Sequence, residues 1–184
     1  SGFVRWQITA DWLEGELSDD AAAGSGLIFL PTTEGLYAFD DSTGQQVWGY
    51  RHAHEGDIPD IVAIENDIIV LAERGDLTGI DIGTGTMAWE QALRVDWVLD
   101  WERTDGGPLV ALGYSLSGEE NVEAFGLDTS TGELLWQTAV GQTTIPNGSL
   151  NLAGHSSGLI ATEVVTDLTS TLLALDGESG AIAW

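Results

Sequence analysis

Four short apolar runs punctuate the chain: Leu27 to Leu30, Ile68 to Ala72, Leu109 to Leu112 and Leu159 to Ala161. None alternates polar with apolar residues. A strand wetted on one side shows a period of two, so a continuously apolar run predicts a strand that needs cover on both faces. No segment sustains a period near 3.6 over about 11 residues. Asp, Thr and Gly interrupt the apolar stretches at intervals instead. The pattern predicts an all-β chain of short strands joined by tight turns.

One phrase follows each run. A small residue is followed by Asp two positions on, Thr or Ser at five, Gly at six and Trp at ten. The copies are Ala38, Asp40, Thr43, Gly44, Trp48; Gly79, Asp81, Thr84, Gly85, Trp89; Gly126, Asp128, Thr131, Gly132, Trp136; and Ala174, Asp176, Ser179, Gly180, Trp184. A partial copy, Ser1, Gly2 and Trp6, opens the chain. The phrase reads as strand, turn, strand. Asp accepts bonds from backbone N–H groups ahead of it, Gly takes the positive-φ position, and Trp lies on the following strand, where its ring can cover a neighbouring layer. Four equivalent copies imply four equivalent structural jobs, so these Asp and Thr residues are assigned to turns rather than chemistry.

The Trp residues of the phrase recur every 41 to 48 residues, a period that points to propeller blades of four antiparallel strands. The expected organisation is one domain, 1–184, with repeats at approximately 7–48, 49–89, 90–136 and 137–184. Residues 1–6 then form the last strand of a preceding blade. Five Trp-bearing strands for four sets of inner strands would leave Trp6 and Trp184 competing for one place in a closed ring. An open array avoids the conflict and leaves blade faces to be covered by further blades, a partner or a second copy.

The phrase resembles the tryptophan-docking motif of pyrroloquinoline-quinone (PQQ)-type propellers, a family that includes quinoprotein dehydrogenases and the outer-membrane assembly lipoprotein BamB. The resemblance covers essentially the whole chain. It implies a segment of a seven- or eight-bladed propeller, specifying fold more than function. For the enzymes it implies a quinone site with Ca²⁺, a catalytic Asp and often a vicinal Cys pair. This chain has no Cys and no Lys, and no cofactor is expected.

Charge narrows the partners. Thirty acidic residues against five Arg give a formal net charge of −25, which opposes nucleic acid and anionic membrane. Such acidity suits an organism adapted to salt, where screening is strong. The 43% hydrophobic content with eight Trp fits a folded protein. Without Cys there is neither disulfide nor thiolate.

Other segments carry candidate chemistry. His52, His54 and Asp57 form the most metal-like segment, two imidazoles two apart with a carboxylate, although a solvated connection between blades explains them as well. His155 beside Ser156 lacks an orienting acid, and a polar turn accounts for it. Arg74-Gly75-Asp76 occupies a hairpin slot, and Asn147-Gly148-Ser149 is a glycosylation sequon only in an exported protein. In Val95 to Trp101, Trp97, Leu99 and Trp101 alternate with Asp96, Val98 and Asp100. This predicts a strand with its Trp face against a neighbouring blade and its Asp residues toward the channel or a turn. The third and fourth repeats carry extra hairpin residues, around Ser115 to Asn121 and Val165 to Ser170, forming a rim with Glu119, Glu120 and Asp167. Loops elaborated on a rigid frame commonly carry binding specificity.

The sequence is therefore read as a non-catalytic, extracytoplasmic module of the cell envelope (periplasmic, cell-surface or secreted) that binds or scaffolds proteins, with its open blade faces available for self-association. The alternatives are a fragment of a PQQ-dependent quinoprotein dehydrogenase and the extracellular sensor domain of a larger receptor.

Overall fold

The computed structural model describes residues 6–7, 15–18, 20–52, 54, 56–103, 107–116, 122–142, 151–156, 158–165 and 170–184. Among these residues fifteen strands fall into four antiparallel sheets, and within each sheet the strands pair in chain order. The first sheet holds β1 (Ala22–Gly24), β2 (Leu27–Thr32), β3 (Gly35–Asp40) and β4 (Gln46–Arg51). The second holds β5 (Asp60–Glu65), β6 (Ile68–Glu73), β7 (Asp76–Asp81) and β8 (Met87–Ala92). In the third are β9 (Trp97–Arg103), β10 (Leu109–Tyr114), β11 (Val122–Leu127) and β12 (Leu134–Gly141). The fourth has β13 (Asn151–Ser156), β14 (Leu159–Val165) and β15 (Ser170–Asp176). Its last edge is joined only by a bridge between Leu175 and Ile182 and by backbone bonds linking Ala174 with Ala183 and Trp184.

The apolar runs are the second strand of each sheet, and their neighbours explain why they do not alternate. In β6, Ile69 and Leu71 face the first sheet with Phe29, Leu36 and Ala38, while Ile68, Val70 and Ala72 face the third with Leu109, Ala111 and Phe125. In β10, the alternate residues Val110 and Leu112 pack toward Leu152, Ile160 and Leu175 of the fourth sheet. A strand sandwiched in this way buries both its faces. Each fully covered Leu, Ile or Val contributes about 1.5–3 kcal/mol. Three core clusters thus link the four sheets in series, and among the described residues no core cluster joins the first sheet to the fourth. Among the described residues the three clusters do not close the sheets into a ring, in line with the open array that the strand count predicts.

Candidate functional site

The repeated phrase builds one structure four times. Asp40 N–H donates to Gln45 O and Gly44 N–H to Asp40 O, and the same pair of bonds recurs at Asp81, Asp128 and Asp176. The Asp carboxylate then accepts the N–H three residues on: Thr43 and Thr84 at 2.8 Å, Thr131 at 3.1 Å and Ser179 at 2.8 Å. At Thr43, Thr84 and Ser179 the hydroxyl donates as well, at 2.7 Å. The Gly residues at six, Gly44, Gly85, Gly132 and Gly180, take φ between 69° and 72°.

Three of the phrase's Trp residues leave their own sheet to lie on the next one's turn. Trp48 Nε1 donates to Ile82 O at 2.7 Å, Trp89 to Thr129 O at 3.0 Å and Trp136 to Gly177 O at 3.0 Å. The rings cover Gly85, Gly132 and Gly180, where an added Cβ would run into them. The small residue that begins the phrase has its own reason: Gly79 and Gly126 stand opposite Trp89 and Trp136 in register, under the ring.

The same hydrogen bonds set the acid chemistry of the turns. Bonds from the Ser42 and Thr43 hydroxyls and the Thr43 N–H hold the Asp40 carboxyl down at about 2, against an ordinary value of 3.8. Asp81 and Asp176 are lowered by their bonds to Thr84 and Ser179. A carboxyl depressed in the fold contributes stability that is fully present above its unfolded value and is lost as pH falls through its folded one. The Asp40 carboxyl carbon is therefore expected to titrate near pH 2 by NMR, and Thr43→Val to move the midpoint upward. A wild-type midpoint near 4 would contradict this account of the turn.

The segment with two His residues does not converge on one point. β4 ends at Arg51, and His52 turns inward instead of remaining on a wetted connection. Its Nδ1 lies 2.5 Å from Glu73 Oε1 and its Nε2 3.2 Å from Thr33 O, with only 3% of its side chain and 10% of Glu73's exposed. His54 goes to Asp76 at 3.6 Å, and Asp57 accepts from Arg74 Nε at 2.6 Å. Each member thus has a different partner. Among the described residues no three His, Asp or Glu side chains are grouped to hold a metal.

Around these pairs, at the junction of the second and third sheets, lies a cavity of about 480 Å³ lined by Asp57, Asp60, Glu73, Arg74 and Asp96, with Trp97 and Val98 among its further walls. Burial raises the pKa of the Asp60 carboxyl, and Asp20's charge adds to the effect. The sequence reading missed this assembly. Its residues come from the β4–β5 connection and the start of β5, the end of β6 and the turn after it, and the start of β9 with the residue before it, and no local spacing joins them. At the other end of the same two sheets, Arg103 and the buried Thr129 meet Glu65.

The alternation expected in Val95 to Trp101 does not survive pairing. Between Leu112 and Gly113 the register with β9 slips, Asp100 pairing with Leu112 and Val98 with Gly113, so that Leu99 is the extra residue of a bulge. Trp101 and Val98 consequently pack toward the second sheet, while Trp97 lies opposite Tyr114, with ring centroids 6.3 Å apart. The two Trp residues do not share a face. Asp100 accepts the Leu152 N–H at 2.7 Å from the fourth sheet, and Asp96 accepts that of Leu116 at 2.6 Å.

The hairpins after β10 and β14 are longer than the two-residue turns after β2 and β6. Glu119, Glu120 and Asp167, with Asn147 of the sequon, lie outside the described residues. His155 and Ser156 fall within β13.

Sheets of four strands in sequential order, tied in series by Trp-to-turn docking, define a PQQ-type repeat propeller array. Residues 1–152 match the family described as outer membrane protein assembly factor BamB, and the chain belongs to that family. A curated relative, outer membrane protein assembly factor BamB of Yersinia pestis, is 24% identical over 176 residues. The match takes in 91% of this chain but 43% of the relative, so the chain spans less than half of that protein's length. Among solved structures, the computationally designed Ika4 protein superposes with a TM-score of 0.63 at 14% identity, covering 94% of this chain and 98% of the design. A europium-containing methanol dehydrogenase gives 0.55 at 17% identity, over 89% of this chain and 40% of the enzyme. Both likenesses are of fold alone.

Proposed function

We propose that this chain is a non-catalytic scaffolding module of the cell envelope that binds partner proteins. The observation that carries this reading is the family match over residues 1–152, to a family described by its role in assembling outer membrane proteins. The use made of the side chains supports it. The phrase residues serve turns and docking, while His52 and His54 are engaged with the Glu73 and Asp76 carboxylates and Arg74 with Asp57. On this reading the partner-facing surface is the side of the array carrying the long hairpins, with Glu119, Glu120 and Asp167 on its rim. The charge of −25 favours a basic partner segment.

The test places a photo-crosslinking amino acid at Glu120 or Asp167 and at Val47, which lies on the exposed outer strand of the first sheet, in cells of the source organism. The reading expects discrete adducts with envelope proteins from the rim positions and none from Val47. Equal adducts from all three, or none, would remove the rim from the proposal. Reduction of an artificial electron acceptor by the purified protein with PQQ, Ca²⁺ and an alcohol or sugar would overturn the non-catalytic role itself.

A further inference from the structure

The cavity at the junction of the second and third sheets has an aromatic and apolar wall beside its charged ones. Trp97 lines it and is 41% exposed, and Tyr114 holds the indole in place, stacked on it at an interplanar angle of 17°. Ile58 lines it as well and is part exposed. Leu116, 62% exposed, joins the same rim through its N–H bond to Asp96. The opening is on the side of the array that carries the long hairpins, since Arg74 stands in the turn after β6 and Leu116 in the longer hairpin after β10. The charges around the cavity are unevenly met. Asp57 is paired with Arg74 and Glu73 with His52. Asp96 accepts the uncharged Leu116 N–H, and the Asp60 carboxyl has no hydrogen-bond or ion-pair partner among the described residues. Asp20 adds negative charge near Asp60. Unmatched carboxylates therefore stand beside a part-exposed indole whose position is fixed.

We infer that this cavity is the recognition pocket for an arginine side chain carried on an extended segment of a partner protein, with an apolar neighbour of that arginine covering Leu116. The inference rests on the protein-binding reading and adds the chemistry of the partner. A guanidinium is planar, so it stacks on an indole while its N–H groups fork toward carboxylates, and it sheds water more readily than an ammonium. Asp60 and Asp96 supply the charge and Trp97 the platform. Arg74 does not oppose the newcomer, because Asp57 already offsets it. The volume of about 480 Å³ lies within the range of pockets that enclose small groups. Other occupants fit less well. A wholly apolar segment would bury two carboxylates with no counter-charge, which is costly. An anion would face the same carboxylates, and a second copy of this chain brings a net charge of −25 against them. A bare metal ion lacks three convergent ligands among the described residues.

The test titrates the purified chain with fluorescently labelled acetyl-Gly-Arg-Leu-Gly-amide, read by anisotropy, beside the same peptide with citrulline, the uncharged isostere, in place of arginine. The arginine peptide should bind, and the citrulline peptide should bind at least about tenfold more weakly, as loss of a charged hydrogen bond implies. Asp60→Asn, which keeps the shape of the wall, should weaken the arginine peptide by about tenfold as well. Trp97→Leu should weaken it by about threefold, the share of a cation on an indole at a part-exposed site. Glu133→Gln removes the same charge from the exposed turn after β11, at the other end of the third sheet, and should change nothing. Circular dichroism identical to that of the unsubstituted chain secures the comparison for Asp60→Asn whatever Trp97→Leu does to folding. Equal binding of the two peptides, or equal effects of Asp60→Asn and Glu133→Gln, would overturn the inference. In cells, Asp60→Asn should reduce the adducts formed from a crosslinker at Glu120. Undiminished adducts would overturn the pocket and leave the protein-binding reading standing. Arginine-selective binding by the purified chain with no rim adducts in cells would support the pocket and count against that reading.

Discussion

Replacing Trp48 by Ala is expected to cost about 4 kcal/mol, the middle of the range for removing a large buried aromatic side chain. The residue is 8% exposed and lies within the cluster joining the first and second sheets, its ring 5.8 Å from that of Phe29 between centroids. It also supplies the N–H bond to Ile82 O. Losing it removes apolar cover from Gly85 and leaves a carbonyl unpaired at the same point. Urea unfolding should show the loss as a lowered midpoint. Trp184→Ala is the matched control, since its ring is mostly in solvent, and it should change stability by less than about 0.5 kcal/mol. Equal costs at the two positions would refute the view that docking on the next turn, rather than the residue's place in the phrase, is what stabilises the array.

His52→Phe is the second substitution of large expected effect, about 3 kcal/mol. Phe keeps an aromatic ring in the space but presents no nitrogen to either Glu73 or Thr33 O. Glu73 is left as a buried carboxyl without its partner, and stranding one member of a buried pair is far more costly than removing an exposed one. The double variant His52→Phe with Glu73→Leu removes both polar groups and should recover most of the loss. A single variant as stable as wild type would mean that the pair does not link the first sheet to the second. Arg74→Ala, which breaks the exposed pair with Asp57, should cost less than about 1 kcal/mol and serves as the contrast.

The fold was legible because its determinants are local and repeated. Asp, Thr or Ser, Gly and Trp sit within eleven residues of one another, and the bonds among Asp40, Thr43 and Gly44 are completed inside the turn itself. The apolar runs could be placed for a similar reason: Ile68 to Ala72 must have neighbours on both sides, whatever those neighbours are. What the sequence does not disclose depends on pairing between distant segments. The bulge at Leu99 arises from how β9 registers with β10, and nothing in the alternation of Trp97 to Trp101 announces it. His52 meets Glu73 across 21 residues and two sheets. The segment therefore reads as a polar connection when its His is in fact one of the least exposed side chains at that junction. The cavity beside it is assembled from three separate stretches of chain for the same reason, and Asp60 carries no mark in sequence of the burial that raises its pKa.

The direction of the Trp contacts gives the array a grammar that bears on how such chains lengthen and shorten over time. Each of the three junctions between sheets pairs a Trp of one sheet with the turn of the next, so a duplicated or deleted unit leaves the remaining junctions chemically unchanged. A whole-repeat insertion in the gene needs no compensating substitution, because the new unit arrives with both halves of its contacts. A shift of a few residues has no such protection, since it would part a Trp from the glycine on which its ring lies. Repeats linked only to their nearest neighbours tolerate this kind of copying. The 41-to-48-residue spacing preserved here is the pattern such inheritance would leave.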